Sequence, residues 1–405
     1  MRSFRIGSAF GIPIKLDLTF LLVLPLFAYL IGSEVNIWVG ILNQYFAVDI
    51  VSSALSGDVV PFVVGLVAAI GLFASVLLHE LGHSLVARRY GYPISSITLW
   101  LFGGIAQLSE MPEEWEQELY IAIAGPLVSI GLGIGLFGVF LTAPSILPAG
   151  AVGVGSAALL FVLGYLAITN LALAAFNLLP GFPMDGGRIL RALLAINRPY
   201  ARATEIAAEV GKFFAILLGL VGLFVGFNIF LVGIAFFIYL GATSEAQQTM
   251  MSAAFEGVSV RDVMTPAENV NTVDAKSSVS ELLEYMFQKR HTGYPVLRDG
   301  HLVGLVTLED AKSVNEVEQD AYRVEEIMST DLVTVDVNED ALEALTMMQE
   351  ENIGRLLVMD DEEFAGLLTR SDLMTALAVI RSSGSLEPRT GSQSDHSTGY
   401  PREAR

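Results

Sequence analysis

Several stretches of this 405-residue chain are each long and apolar enough to cross a lipid bilayer, which narrows its possible folds more than any other feature. A spanning helix needs about 20 apolar residues. The candidates are 17–33, 61–87, 119–141 and 154–178, and 206–245 is long enough for two spans turning near Gly226, Phe227 and Asn228. In lipid, only helices and closed barrels satisfy their own backbone. Six spans of this kind specify a helical bundle. The first is not expected to be a cleaved leader, since no convincing small-residue cleavage site follows it.

Basic residues orient the bundle. With the N-terminus inside, Arg2, Arg5 and Lys15 are cytoplasmic, as are Arg88 and Arg89 after the second span and Arg188, Arg191, Arg198 and Arg202 after the fourth. Lys212 lies near the inner end of the fifth. The outer loops 34–60, 142–153 and 225–228 contain no Lys or Arg. Both termini are therefore expected in the cytoplasm.

Charge divides the chain. Residues 1–242 hold 10 Lys+Arg against 13 Asp+Glu, and residues 243–405 hold 13 against 30, a net of −17. The second half should be water-exposed, and its acidity speaks against a nucleic-acid partner. Lysine-poor acidity suits a protein working in concentrated salt; an ordinary acidic surface is the alternative. There are no cysteines, which excludes disulfides and thiolate ligands. Any metal must be held by His, Asp or Glu.

The expected organisation is a transmembrane domain over 1–242, a linker over 243–257, repeats at 258–312 and 324–380 joined by a linker over 313–323, and a disordered polar tail over 381–405. The repeat is visible in "GLVTLED" at 304–310 against "GLLTRSD" at 366–372. Each copy alternates short β-branched strands with amphipathic helices.

Chemistry concentrates at "HELGH", residues 79–83, inside the second span. On a helix, positions i and i+4 share a face about 6 Å apart along the axis. His79 and His83 can thus ligate one ion. Glu80 projects about 100° round from His79, near the ion without having to bind it. In H-E-x-x-H hydrolysis the imidazoles hold zinc and the carboxylate takes a proton from metal-bound water. Ionisable residues at membrane depth are costly and functional by default. A third ligand is needed, and the membrane half has no other histidine. Asp185, in "FNLLPGFPMDGGRILRALL", stands between helix-breaking Pro183 and Gly186-Gly187, although a plain interfacial loop Asp would read the same way. Residues 93–108 read as strand-like with a bend at Gly103-Gly104. They form either a β segment at membrane depth or a surface hairpin.

These motifs carry a resemblance. HELGH, "LFGGIAQL" at 101–108, "IAIAGPLVS" at 121–129 and "NLLPGFPMDGGR" at 177–188 occur in the order seen in the site-2 protease family of intramembrane zinc metalloproteases. "FGIPIKLDLTFLL" is similar to that family's start. The closest likeness is the branch with six spans and a C-terminal pair of CBS domains. The resemblance implies His79, His83 and Asp185 as zinc ligands and Glu80 as general base. It puts Asn177 near the metal, where its amide either donates to an oxyanion or packs helices. It also implies that the 93–108 segment pairs with an unwound substrate strand. The expected substrate is a membrane protein with a helix-weakened span.

The repeats are similar to tandem CBS domains, which commonly bind adenine nucleotides such as AMP or ATP. That likeness implies ribose contacts for Asp310 and Asp372 and phosphate contacts for Thr307 and Thr369. The alternative is a pair that only dimerises or packs, since Thr and Asp are good cap residues. The expected fold is therefore a multi-pass α-helical membrane domain with a small β segment, followed by a cytoplasmic α/β CBS pair. The expected function is a regulated intramembrane zinc metalloprotease. The alternative is a CBS-gated transporter or channel, which would spread ionisable residues over several spans rather than converge them on HELGH and one Asp.

Overall fold

The computed structural model describes residues 3–46, 48–100, 103–108, 114–146, 153–361 and 363–383. The chain forms two compact units, Met1–Thr249 and Met250–Arg405.

Unit 1 begins with strands β1 (Ser3–Ala9) and β2 (Ile12–Asp17), and continues with helices α1 (Phe20–Ser33), α2 (Val35–Phe46) and α3 (Val60–Arg89). Strands β3 (Ile94–Trp100) and β4 (Gly103–Leu108) come next, followed by helices α4 (Trp115–Ile146), α5 (Val154–Asn177), α6 (Asp185–Ala195), α7 (Tyr200–Phe224) and α8 (Ile229–Phe255). Among the described residues, five helices, α3, α4, α5, α7 and α8, are long and apolar enough to cross a membrane; α1 and α2, bent by 57°, make a sixth if taken as one span.

α1 agrees with the expected first span over 17–33, whereas α2 lies in what the sequence presents as an outer loop, 34–60. Gly32 and Gly65 bring α1 against α3 so closely that a Cβ on Gly65 would lie 2.3 Å from the Ala28 carbonyl oxygen. Beyond Glu34 the chain turns to lay Val35, Val39 and Leu42 onto the core formed with Phe161, Tyr165 and Leu166 of α5. Asn43 then pins the following loop by exchanging two hydrogen bonds with the Ile50 backbone.

The expected strand-like segment 93–108 is the β3–β4 hairpin, paired from Ile94↔Leu108 to Trp100↔Gly103. Its connecting residues 101–102 lie outside the described residues. The N-terminal stretch adds β1 and β2, giving one four-stranded sheet of order β1-β2-β3-β4, with β2 and β3 parallel. Among the described residues, β4 is therefore an edge strand.

Unit 2 holds the two repeats. The first contributes α9 (Val260–Val263), β5 (Thr265–Pro266), β6 (Val273–Asp274), α10 (Val279–Lys289), β7 (Gly293–Arg298), β8 (His301–Thr307) and α11 (Leu308–Lys312). The second contributes α12 (Val324–Ile327), β9 (Thr334–Asp336), α13 (Ala341–Glu350), β10 (Arg355–Asp360), β11 (Glu363–Thr369) and α14 (Arg370–Ser383). The repeats interlock. β5 of the first pairs with β11 of the second, and Ser329 of the second bridges Leu305 of the first. The cores cross over in the same way. Phe255 and Val260 pack with Val335, Leu345 and Leu377, while Val324 packs with Val273, Leu282 and Tyr294.

Residues 243–255, expected within a linker, continue α8 as helix. The expected tail is helical to Ser383, and its remainder, 384–405, lies outside the described residues.

Candidate metal centre

Helix α3 carries His79 and His83 one turn apart on a face turned toward α4. Both are buried, 4% and 8% exposed, within a helix otherwise fit for lipid. Two glycines make this possible. A Cβ on Gly82 would lie 3.0 Å from the Ala124 carbonyl oxygen, so α3 and α4 touch backbone to backbone. A Cβ on Gly125 would lie 2.1 Å from His83 Nε2 and 2.7 Å from His79 Nε2. Any larger residue at 125 would occupy the space into which both imidazoles point.

Asp185 opens α6 and supplies the third group. Its Oδ2 lies 3.1 Å from His79 Nε2 and 3.2 Å from His83 Nε2, and the two Nε2 atoms are 3.2 Å apart. These are the only three such side chains in a metal-binding cluster among the described residues. The loop that presents Asp185 is held by close approaches: Cβ atoms on Gly186 and Gly187 would meet the Leu179 carbonyl oxygen at 2.2 Å and the Phe182 nitrogen at 2.4 Å.

The donor set fits a zinc ion. His83 Nδ1 is 2.7 Å from the Ile121 carbonyl, which can only accept, so the neutral ring carries its proton there and turns a lone pair inward at Nε2. His79 Nδ1 is 2.9 Å from Ser129 Oγ. With His79 donating to that hydroxyl, three acceptors face one another within 3.2 Å, an arrangement that calls for a cation. Ligands at zinc's usual distance of about 2.0 Å span tetrahedron edges of about 3.3 Å, close to the observed triangle. Ile121, Gly125 and Ser129 recur every four residues on α4, so one face of the "IAIAGPLVS" motif provides both outer hydrogen-bond partners and the room between them. Such partners fix the ring orientation of metal-binding histidines. In the sequence alone this motif carries a family likeness. The four-residue spacing was available, but a carbonyl acceptor leaves no residue signature.

Glu80 is not one of the converging ligands. Its half-buried side chain lies against β4, where a Cβ on Gly104 would come within 2.5 Å of Glu80 Cγ. The edge strand and the carboxylate are thus immediate neighbours. Asn177 is the last residue of α5, and its Nδ2 donates to the Leu173 carbonyl at 3.0 Å.

In unit 2 the four residues expected to contact nucleotide form two equivalent capping boxes. Thr307 donates through N and Oγ1 to Asp310 Oδ2 at 2.8 and 2.7 Å, and Thr369 does the same to Asp372 Oδ2 at 2.9 and 2.7 Å. Thr307 also lines a cleft of about 800 Å³ between the repeats, with Lys312, Asp331, Ile353 and Arg355. Asp310, Thr369 and Asp372 do not line that cleft.

Family comparisons agree with this division. Residues 67–159 and 148–218 match the model of peptidase family M50, and 260–314 and 324–379 each match the CBS domain. A zinc metalloprotease from Methanocaldococcus jannaschii is 34% identical over 93% of this chain and 97% of its own length. A relative from Synechocystis is 32% identical over 92% of this chain and 95% of its own. The solved structure of the site-2 protease from Methanocaldococcus jannaschii is 37% identical, covers 60% of this chain and 95% of its own, and superposes with a TM-score of 0.40. The chain belongs to peptidase family M50, as an intramembrane zinc metalloprotease of the site-2 type with a C-terminal pair of CBS domains.

Proposed function

We propose that this protein cleaves membrane-protein substrates in or near their spanning segments, at a zinc ion held by His79, His83 and Asp185. The convergence of those three ligand atoms inside an apolar helix carries the proposal. Zinc in that position supplies Lewis-acid activation of water and of the scissile carbonyl near neutral pH. Glu80 takes the proton of the attacking water and passes it to the leaving amine. Asn177 retains a second amide hydrogen for the developing oxyanion. β4 pairs on one side only, with β3, among the described residues. Its free edge beside Glu80 receives an unwound substrate strand by β-augmentation. A helix conceals its own amides, so substrates with Gly, Pro or Asn in the span are cut best. Both termini and the CBS pair lie in the cytoplasm, following the basic residues.

The cleft between the repeats binds an adenine nucleotide that regulates cleavage. Lys312 and Arg355 suit phosphates, and Asp331 suits ribose hydroxyls. ATP and AMP titrated into full-length protein should bind at or below millimolar concentration, and Arg355→Ala should weaken binding. No binding would leave the pair as a dimerisation module.

The direct test is Glu80→Gln. Cleavage of a tagged single-span substrate should stop while zinc stays near one per chain. Near-normal turnover with the metal intact would overturn the assignment of the base.

A further inference from the structure

Arg191 is the largest fully buried side chain among the described residues, at 1% exposure. Its partners come from three helices and one loop. Nε donates to Glu118 Oε1 of α4 at 2.7 Å, and Nη1 donates to Glu245 Oε1 of α8 at 2.9 Å. The guanidinium carbon lies 4.8 Å from the ring centroid of Phe182 and 4.7 Å from that of Tyr200, the first residue of α7. Two carboxylates and two ring faces surround the planar group, and its Nη2 contacts Glu118 Oε1 as an ion pair without a hydrogen bond of its own.

Phe182 stands three residues before Asp185, in the loop that delivers the third metal ligand. α8 touches the same loop again. A Cβ on Gly241 would lie 2.8 Å from Pro183 Cγ, and Ala242 and Ala246 pack with Phe182. Gly241, Ala242, Glu245 and Ala246 share one helical face. One stripe of α8 is therefore the wall behind the Asp185 loop. The same helix runs on without a break to Met251 and Phe255, which belong to the core of the second repeat.

A buried ion pair is a poor source of net stability, because desolvation offsets most of the attraction. An apolar residue could fill this position at equal or lower cost. The arrangement instead defines a direction and a register. We propose that Arg191 is a positioning residue for Asp185, and that Glu245 makes the placement of that carboxylate depend on α8, the helix continuous with the CBS pair. This rests on the metalloprotease reading of the site. A rotation or slide of α8 would draw Glu245 from Arg191, release the Phe182 ring and shift Asp185 relative to the two imidazoles. Metal–ligand distances in well-formed sites lie within about 0.2 Å of their standard values, so such a shift would disturb the site. Regulation would then act on ligand geometry rather than on substrate entry.

The test uses full-length protein in detergent, with zinc affinity measured by chelator competition and site geometry read from the visible bands of the cobalt-substituted form. Glu245→Gln keeps the size of the side chain, and Arg191→Lys keeps the charge without the fork. Each should weaken zinc by about tenfold or more and shift the cobalt bands, while elution volume and unfolding temperature stay near wild type. Glu205→Gln, which removes an exposed ion pair with Arg202 on α7, should change neither readout. Folded Glu245→Gln and Arg191→Lys proteins with affinity within twofold of wild type and unshifted bands would overturn the proposal. A wild-type protein without zinc affinity, or His79→Ala with full affinity, would instead overturn the metalloprotease reading beneath it.

Discussion

Three carboxylates at helix starts are used in two ways. In the CBS pair, Asp310 and Asp372 bend back to the N–H and hydroxyl of the Thr three residues earlier, which closes α11 and α14 locally. In the membrane half, Asp185 is the first residue of α6, behind a Met184 cap with no side-chain hydrogen bond. Its Oδ2 faces His79 and His83, more than a hundred residues away in sequence. A carboxylate that satisfies its own helix is a structural cap. One that leaves its helix uncapped and meets two imidazole lone pairs needs a cation. The local hydrogen bond, more than the residue type, separates the two roles.

Breaking this contrast at its strong end should have the largest effect. Asp185→Asn keeps the shape and removes the charge. Zinc affinity should fall by at least about 100-fold, beyond what an outer hydrogen-bond partner usually controls, and cleavage should cease. Metal content after dialysis checks this, and full occupancy would make Asp185 no more a ligand than the two caps. An intermediate effect is expected one shell out. Ser129→Ala removes the partner of His79 Nδ1 and leaves the three ligands in place, so affinity should drop about 10- to 100-fold with residual activity restored by added zinc. The smallest change belongs to the caps. Asp310→Ala and Asp372→Ala should each cost about 1 kcal/mol of stability in the CBS pair, seen as a lower unfolding midpoint, with zinc content unchanged. A loss of zinc in either would blur the distinction.

How much of this could be read beforehand depends on how local the interaction is. His79, Glu80 and His83 lie within one turn and a half of helix, and their spacing alone brings them to one site. Asp185 needed elimination of other ligands and a family likeness, because nothing in its own segment points to α3. Ser129 and the Ile121 carbonyl were out of reach as individual residues, since each acts only through the packing of α4 on α3. Hydropathy located the apolar runs but is blind to direction, so the 57° bend after α1 was missed. The apolar positions Val35, Val39 and Leu42 do follow helical spacing, and that pattern was legible in the supposed loop. By sequence, Arg191 reads as one more cytoplasmic basic residue. Its burial depends on Glu118, 73 residues earlier, and Glu245, 54 residues later, as well as on the nearby rings of Phe182 and Tyr200, and a local window reaches neither glutamate.

The crossing of the two CBS cores also sets an order of events during synthesis. The core built on Val273, Leu282 and Tyr294 lacks only Val324 and its neighbours, so it can close once the start of the second repeat has emerged. The segment at Phe255 and Val260 has to wait for Leu345, Leu356 and Leu377. At about 5–20 residues per second, those apolar side chains stay uncovered for on the order of ten seconds of translation. They hang throughout from a helix apolar enough to be lodged already in the bilayer. Until its partner strands arrive, this part of the sequence stays attached through α8.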